Sequence, residues 1–494
     1  MKYHSTLSRR SFMKALGLTA AGVTAAGVAA PAFQDIDELT ASSKSIQKLP
    51  WYVKERDYKK PTVPIDWDVL PRLTGSFPYQ SRPTLNAFDR YEMGIPGGTS
   101  GTWASPEQAT VLFDYCKKEF PGWEPGYIGI GDQRTSALFM ATKFMRMANW
   151  PGEIQQGVER VDIAKAVSQA GGGGSFQSWI GMRSYETLRP QDFGYPRWEG
   201  TPEQNLRTMR SVVRFLGGSD VGVTELDSQT LKFMHEKRGA KDIVIEDVDD
   251  GYETATKVVI PRRCKYVLQW NARQPFESTR RQAGEYEDGA VYSCYQRHPF
   301  AMALIHEFIY ALGYTCVSPY MSGYHTVPFA MMTGLGEHCR MSQPVLTPKY
   351  GTACRAMWIF FTDLPLALTK PIDFGGYKFC KNCGICSESC PFGLMQKGDP
   401  SWEALPGTNG RSGFEGYRTD TRTCPHCPVC HGTCPFNSNG DGSFVHDLVR
   451  NTVSNISLFN GFFANMEEFM GYGRKDPRDW WDLDDYTYGI NTKY

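Results

Sequence analysis

Two runs of four cysteines constrain this chain more than any other feature of its sequence. Each run has the spacing C-x2-C-x2-C-x3-C and is followed directly by a proline, Pro391 after the first run and Pro435 after the second. Three thiolates separated by two residues can bind three irons of one cubic cluster from a single tight loop. The spacing is that of bacterial ferredoxins, in which the fourth cysteine of each run binds the other of two [4Fe–4S] clusters.

The spacing therefore predicts two [4Fe–4S] clusters whose ligands cross between the runs. One cluster takes three cysteines of the first run and the last cysteine of the second: Cys380, Cys383, Cys386 and Cys434. The other cluster takes the remaining four: Cys424, Cys427, Cys430 and Cys390. The other six cysteines are scattered along the chain, which favours buried apolar positions for them.

Zinc and haem are the alternatives for these cysteines. Zinc sites usually consist of two C-x2-C pairs, whereas each run here has four cysteines. The segment from Cys427 to His431 also matches C-x-x-C-H, the attachment motif of c-type haem. Cys424 and Cys434 flank that motif at cluster spacing, which favours a cluster over haem.

Residues 1–32 have the features of an export signal. Arg9 and Arg10 precede a weakly apolar run, and Ala30 and Ala32 form an A-x-A-like cleavage site. A twin-arginine signal exports folded proteins, which suits clusters that are inserted in the cytoplasm, whereas haem c is attached after export of an unfolded chain. We therefore expect the protein to be exported. No later stretch is apolar and long enough to span a bilayer.

The chain of 494 residues is longer than one core usually supports, so several modules are expected. Its formal net charge is zero, which provides no basic field for nucleic acid. Residues 243–245 and 266–268 are typical of buried strands. Phe300, Leu304, Phe308 and Leu312 recur at helical spacing before Gly313, a natural helix stop. Strands that alternate with helices predict a mixed α/β core.

The predicted modules follow from these patterns. They are an export signal (1–32), an N-terminal region (33–150), an α/β core (151–370), a two-cluster module (371–440) and a C-terminal segment that packs on the core (441–494).

Three phrases in the core and its C-terminal end carry a family resemblance. They are Gly334-Leu335-Gly336-Glu337, Thr347-Pro348-Lys349-Tyr350-Gly351 and Phe361-Thr362-Asp363-Leu364-Pro365-Leu366. Together with the leader and the cysteine runs, they make the chain resemble the catalytic subunit of respiratory reductive dehalogenases. The resemblance implies an α+β or α/β fold, with a nitroreductase-like corrinoid-binding core and a bacterial two-[4Fe–4S] ferredoxin-like module. It also implies a cobalamin-type corrinoid bound base-off. A small membrane anchor protein is the implied partner, which would place the exported protein at the outer face of the cytoplasmic membrane.

The resemblance assigns catalytic roles to Tyr295 and Arg355. The proton-donating tyrosine of the family lies at the start of a helix that ends in an L-G-Y phrase, and Tyr295 stands nineteen residues before Tyr314 of that phrase here. A phenol is a weak acid with a pKa of about 10, so a nearby cation eases its ionisation. The family's basic residue after the T-P-x-Y-G phrase corresponds to Arg355. By residue type alone, Tyr295 also fits an ordinary packed aromatic, and Arg355 fits an ion pair with a surface carboxylate.

Further cofactor contacts are expected at Gly334, Gly336, Thr347 and Tyr350, since the glycines would let backbone approach a corrinoid. His306 and His325 are expected to be structural. Some family members have an asparagine near the position of Met321 or Ser322. Its absence here predicts a different pocket lining.

The expected reaction is removal of halide from a chlorinated alkene or arene during organohalide respiration. An organohalide, two electrons and a proton give the reduced product and a halide ion. The electron donor is left open. Two alternatives remain at this stage. One is an epoxyqueuosine reductase, which resembles the family in its cofactors but acts on tRNA in the cytoplasm. The other is an electron-transfer subunit without a catalytic centre.

Overall fold

The computed structural model describes ten stretches of the chain. They are residues 49–50, 52–76, 106–124, 189–194, 196–281, 285–318, 323–405, 410–424, 427–437 and 475–482. The predicted export signal and the positions of Met321 and Ser322 lie outside them.

The described chain contains both strands and helices, as predicted for a mixed core, but the predicted alternation is partly wrong, because five strands between residues 221 and 273 follow one another without an α-helix. The strands are β1 (Lys54–Glu55), β2 (Leu73–Ser76), β3 (Val221–Glu225), β4 (His235–Arg238), β5 (Lys241–Glu246), β6 (Lys257–Pro261), β7 (Tyr266–Arg273), β8 (Cys316–Val317), β9 (Cys354–Thr362) and β10 (Ile372–Asp373). The helices are α1 (Pro106–Glu119), α2 (Pro202–Phe215), α3 (Phe276–Arg280), α4 (Glu285–Ala311), α5 (Thr326–Met332), α6 (Gly376–Cys383), α7 (Ile385–Glu388) and α8 (Val429–Gly432). Short 3₁₀ segments occur at Pro190–Phe193, Thr230–Phe233 and Pro477–Asp482.

A central antiparallel sheet with strand order β3-β7-β9-β8 forms the middle layer. The side chains of β7 and β9 alternate between two apolar clusters. Trp270 and Trp358 lie in the cluster that contains α2 and α4, whereas Val267, Ile359 and Phe361 lie in the cluster that contains α5. Since successive strand residues point to opposite faces, the sheet is buried on both sides. This double burial explains the continuous apolar run that predicted strand 266–268.

Helix α2 covers part of one face of this sheet. It begins with a capping box, in which the Thr201 hydroxyl accepts from the Gln204 backbone N–H and the Gln204 side chain accepts from the Thr201 N–H. Leu206, Met209 and Val213 recur at helical spacing and are buried against the sheet.

Helix α4 is the helix expected before Gly313, and Gly313 has the left-handed φ (+90°) that ends it. The apolar face predicted for it is partly wrong, because Leu304 is 51% exposed. Met302, Ile305 and Ile309 are buried instead, at spacings of three and four residues. Among the described residues, no helix combines the length and apolar character that a bilayer crossing requires.

A second sheet, with strand order β2-β4-β5-β6, packs beyond α5. Its strand β5 contains the predicted strand 243–245. The described residues 52–76 form two strands that pair with later parts of the chain. Strand β2 pairs with β4, and β1 pairs with β10 just before the first cysteine run. Residues far apart in sequence therefore fix the position of the cysteine module.

The C-terminal segment 475–482 is held on the core by a buried charge network. The Lys475 ammonium donates to the Glu277 carboxylate over 2.8 Å, and the Lys475 N–H donates to the Arg280 carbonyl. Arg281, which is fully buried, also donates to Glu277 over 2.8 Å. Burial alone would raise the pKa of Glu277. The charges of Arg280 and Lys475, together with these hydrogen bonds, outweigh it and hold the pKa at about 2.

Glu277→Gln should destabilise the protein at pH 7 by about 3 kcal/mol, because a pKa held below its unfolded value stabilises the fold above that value. The difference from wild type should stay constant down to about pH 4.5, the ordinary glutamate value, and shrink below it. Anaerobic denaturant unfolding followed by tryptophan fluorescence at several pH values measures both effects.

The matched control is Asp242→Asn, which breaks an exposed ion pair with Lys237. Exposed pairs contribute about 0–1 kcal/mol, so this variant should stay close to wild type. Equal stability losses in the two variants would contradict a special role for the buried network.

Candidate active site

Tyr295 lies on α4 and packs over one end of the central sheet. Its half-buried ring meets the Trp358 ring edge-on, with centroids 6.4 Å apart, and lies 5.5 Å from the Tyr292 ring. The adjacent Cys294 thiol donates to the Arg273 carbonyl over 3.1 Å, which ties this part of α4 to the end of β7. Tyr295 is therefore held where β7 ends and β9 begins.

Arg355 lies at the same end of the sheet. Four residues of β9 (355–358) span the same stretch as three of β7 (270–272), so that Ala272 pairs with Arg355 and Trp270 with Trp358. A β-bulge of this kind re-aims side chains. Directly opposed residues share a face, so the irregularity puts Arg355 on the face of Ala272 and Trp358, against which Tyr295 packs. The sheet brings the two predicted catalytic residues to one place.

The guanidinium of Arg355 is buried and reaches the second cysteine run. One nitrogen donates to its own strand at the Cys354 carbonyl over 3.1 Å, and Nη2 lies 3.1 Å from Nδ1 of His431. An arginine only donates, so Nδ1 accepts and this imidazole carries its proton on Nε2. Burial, and next the charge of Arg355, lowers the pKa of His431. The histidine of the C-x-x-C-H segment therefore positions Arg355.

The Thr347–Gly351 turn docks on the same loop. The Thr347 hydroxyl donates to the Gly351 carbonyl and accepts from the Tyr350 N–H, so it closes its own turn. Asn437 accepts from the Thr352 N–H over 2.9 Å and donates to the His431 carbonyl. The hydrogen bonds that Asn437 makes with Thr352 and His431 therefore join the start of β9 to the residues that follow Cys430.

The remaining predicted cofactor residues occupy tight backbone positions. Gly334 has φ +70° in the turn after α5. A Cβ on Gly336 would lie 2.3 Å from the Leu346 carbonyl oxygen, so glycine permits the adjacent Glu337–Leu346 bridge. Tyr350 is half-buried, and burial raises the pKa of its hydroxyl. Backbone conformation and packing therefore explain why these residues fit the fold. Contact between these residues and a cofactor stays a prediction.

The first cysteine run begins on α6, whose start is held by Glu337. This carboxylate is buried and accepts from three backbone N–H groups at the helix N-terminus: Phe374 (2.7 Å), Gly376 (3.2 Å) and Tyr377 (3.1 Å). A negative charge is favourable at this end of a helix. Burial, and next the charge of Asp373, raises the pKa of Glu337. Glu337 thus links the Gly334–Glu337 phrase to the helix that carries Cys380 and Cys383.

Cysteines from the two runs pack together in the structure. Cys386 and Cys434 lie in one apolar cluster, against which Cys380, Cys383, Cys390 and Cys430 pack. Burial raises the pKa of Cys380 to about 12, and charge on Cys434 contributes to the rise. Charge on Cys430 contributes in the same way to the raised pKa of Cys386. The apolar cluster therefore contains thiols of both runs.

The second run rests on a different surface. Cys427 and Val429 pack with Leu112, Cys116 and Trp123 on and after α1. Cys424 is half-buried. The six cysteines outside the runs are all buried, as predicted. The second cysteine loop is thus held between α1 and the start of β9.

These thiols fit iron–sulfur clusters in their chemistry. Across the described residues, no three His, Cys, Asp or Glu side chains converge on the position of a single metal ion. A [4Fe–4S] cluster binds each cysteine to a different iron, so its ligands surround a cube rather than one ion. Buried thiols with raised pKa values become thiolates only beside positive charge, which iron provides.

Comparison with known proteins decides the family. Residues 232–366 match the family model described as reductive dehalogenase subunit. The chain is 32% identical over 535 aligned residues to the chloroethene reductive dehalogenase of Dehalococcoides mccartyi strain VS, with 99% of each chain covered. This chain belongs to the reductive dehalogenase family. It is also 30% identical to the trichloroethene reductive dehalogenase of Dehalococcoides mccartyi strain 195, with 97% of each chain covered.

Membership of this family makes the protein an oxidoreductase, so it replaces both the electron-transfer subunit and the tRNA-modifying alternative. Solved dehalogenase structures share the fold. The catabolic enzyme NpRdhA in complex with 3-bromo-4-hydroxybenzoic acid has a TM-score of 0.53 at 17% identity over 90% of this chain. A second structure, of a reductive dehalogenase with B12-dependent dehalogenation, has a TM-score of 0.50 at 16% identity. The dehalogenase chain described here spans only about half the length of these two chains, 53% and 54%.

Four residues of the site were not predicted as such. Glu337, Arg340, His431 and Asn437 act through contacts with residues distant in sequence. The sequence indicated two of these residues through their position alone. Glu337 ends one family phrase, and His431 lies inside the second cysteine run.

Gly351→Ala should weaken the docking of the Thr347–Gly351 turn. Gly351 has φ +61°, and a Cβ there would lie 2.4 Å from the Phe436 carbonyl carbon. Gly239 has nearly the same φ (+62°), but a Cβ there would meet nothing within 4 Å. Both alanines incur the left-handed backbone cost, and Gly351→Ala should cost about 1–3 kcal/mol more because of overpacking.

Denaturant unfolding of both glycine variants, together with their iron content, measures this difference. The Gly351 variant should also lose iron, because Phe436 follows Cys434 by two residues. Identical stability and iron content in the two variants would show that the docking contact is unimportant.

Proposed function

We propose that this protein removes halide from a chlorinated alkene or arene by reduction, as the catalytic subunit of organohalide respiration. The observation that carries the proposal is the placement of Tyr295 and Arg355 at one end of the central sheet, with Arg355 hydrogen-bonded to His431 in a cysteine loop. A proton donor, a cation and an electron supply are the three things that the reaction needs from the protein. The two near-full-length relatives are named for chloroethene and trichloroethene, which favours a chlorinated alkene.

Two kinds of cofactor belong to this proposal. The eight cysteines of the two runs would hold two [4Fe–4S] clusters in a ferredoxin-like module. A base-off corrinoid in a nitroreductase-like core would supply a strongly reducing Co(I) centre. The solved dehalogenase described as B12-dependent supports the second cofactor. Gly334, Gly336, Thr347 and Tyr350 remain its proposed contacts.

The chain's own residues would handle the proton and the halide. The Tyr295 hydroxyl would deliver the proton that replaces halide on carbon. The Arg355 guanidinium would stabilise the resulting tyrosinate and attract the departing anion. His431 would keep Arg355 in place, since its Nδ1 accepts from that guanidinium. The Trp358 ring would limit access of water on the sheet side.

Location and partners are also proposed. The twin-arginine leader supports export of the folded protein to the outer face of the cytoplasmic membrane. A small membrane anchor protein would hold it there. The respiratory electron donor would deliver electrons through the two clusters.

Metal analysis and a panel of organohalides test this function. Anaerobically purified protein should contain about eight irons, together with a corrinoid, and should release chloride from chlorinated ethenes or arenes in the presence of a low-potential reductant. Full activity without cobalt would refute the proposal, as would cofactor-loaded protein that releases no halide from any member of the panel.

Tyr295→Phe tests the proton donor. Loss of the hydroxyl should slow halide release about 10²–10⁴-fold, the usual contribution of a positioned acid. The matched control is Tyr292→Phe, one helical turn away in ring contact with Tyr295, which should keep most of the activity. Iron and corrinoid contents should match wild type in both variants. Similar turnover in the two variants would remove Tyr295 from this role.

A further inference from the structure

Arg340 is buried beside the first cysteine run, only 3% exposed, although an arginine carries its charge at all physiological pH values. Its guanidinium lies over the Tyr417 ring, 4.5 Å from the centroid. Within the described part of the chain it pairs with no carboxylate, because every hydrogen bond of its side chain goes to a backbone carbonyl. A buried cation without a counter-ion is costly, so its retention calls for an explanation.

The carbonyls that Arg340 binds surround the first cysteine run. Nε and Nη2 donate to the Cys380 carbonyl over 3.1 and 2.5 Å, and Nη2 also donates to Lys381. These oxygens belong to the last turn of α6. A positive charge is favourable there, because that end of the helix dipole is negative.

The other guanidinium nitrogen, Nη1, binds a separate segment. It donates to the carbonyls of Gln396, Lys397 and Gly398 over 2.8, 3.0 and 2.8 Å. These residues lie beyond Pro391, the proline that ends the first cysteine run. One side chain therefore ties together the two stretches that enter and leave this run.

The counter-ion that this arrangement fits is a cluster held by Cys380. Four thiolates outweigh the positive charge of a [4Fe–4S] core, so the assembly is an anion, and its reduction adds one more negative charge. A fixed cation nearby stabilises the reduced form more than the oxidised form. Cluster potentials respond to net charge, hydrogen bonds and solvent exposure.

We infer that Arg340 is a positioning residue that raises the reduction potential of the cluster ligated by Cys380, Cys383, Cys386 and Cys434. The inference rests on the cluster assignment in the proposed function, and it identifies the buried charge that makes this cluster easier to reduce. Glu337 holds the opposite end of α6. The carboxyl group of Glu337 therefore fixes the start of this helix, and the guanidinium of Arg340 fixes its end.

The test is an anaerobic redox titration of the full-length, cluster-loaded protein, followed by electron paramagnetic resonance. Arg340→Gln removes the charge and should decrease the reduction equilibrium constant of one cluster about tenfold, which is about 59 mV for one electron. The other cluster should keep its potential. Arg340→Lys keeps the charge, so the potential of this cluster should differ from the wild-type value by less than half of that shift.

The matched control is Arg411→Gln. Arg411 is also buried and donates to backbone carbonyls, those of Pro71 and Lys232, away from the cysteine runs. Both potentials should be unchanged in this variant. Unchanged potentials in Arg340→Gln would overturn the inference, and so would an equal shift in Arg340→Lys, since geometry rather than charge would then be responsible.

If Arg340→Gln fails to assemble the cluster, Arg340→Lys decides. A lysine variant with both clusters and a near-wild-type potential supports the role of charge, whereas a lysine variant that also loses the cluster reduces Arg340 to a structural residue. These outcomes are separate from the proposed function. Protein with two clusters but no dehalogenation would refute that function and leave the potentials measurable.

Discussion

The contact between the start of β9 and the second cysteine loop is the interaction on which the rest of this structure depends. Asn437 bonds to Thr352 and His431, His431 accepts from Arg355, and Gly351 lets the two backbones approach. Through this contact a side chain of the central sheet and the cysteines share one framework. The predicted catalytic pair and the predicted electron supply are therefore parts of one packed unit.

Burial determines how the cysteine module works chemically. The Cys380 environment is apolar enough to hold the pKa of its thiol near 12, so the site favours neutral thiols until positive charge arrives. Glu337 and Arg340 hold the two ends of α6, each satisfied by backbone groups. The same low dielectric that makes the buried charge of Arg340 costly would also make it effective on a cluster bound beside it.

Local patterns predicted the local features of this protein. Cysteine spacing depends on a few consecutive residues, and the cluster ligands that it predicts stay a prediction, while the structure packs Cys434 in one apolar cluster with Cys386. The double burial of the central sheet made strand 266–268 readable from its apolar run. Helix α4 was predicted from its spacing, but its buried face was not, because the sheet it packs on selects Met302 and Ile305 over Leu304.

Features that depend on tertiary contacts could not be predicted from the sequence. The bulge that aims Arg355 arises from the register of β7 and β9. The role of His431 depends on Arg355, 76 residues earlier, and the sequence alone offered a haem motif in its place. Nothing in the sequence around Arg340 indicates its partners at Cys380 and Gln396, which are 40 and 56 residues away.

The proposed function requires electrons to pass from the cysteine-bound clusters to the substrate as halide is released. Rapid mixing of fully reduced protein with a chlorinated ethene, with cluster absorbance and chloride followed on the same time base, measures this directly. The account predicts that the clusters reoxidise at the rate of chloride release, with two electrons lost for each chloride. Chloride release from protein whose clusters stay reduced, with no external reductant present, would contradict it.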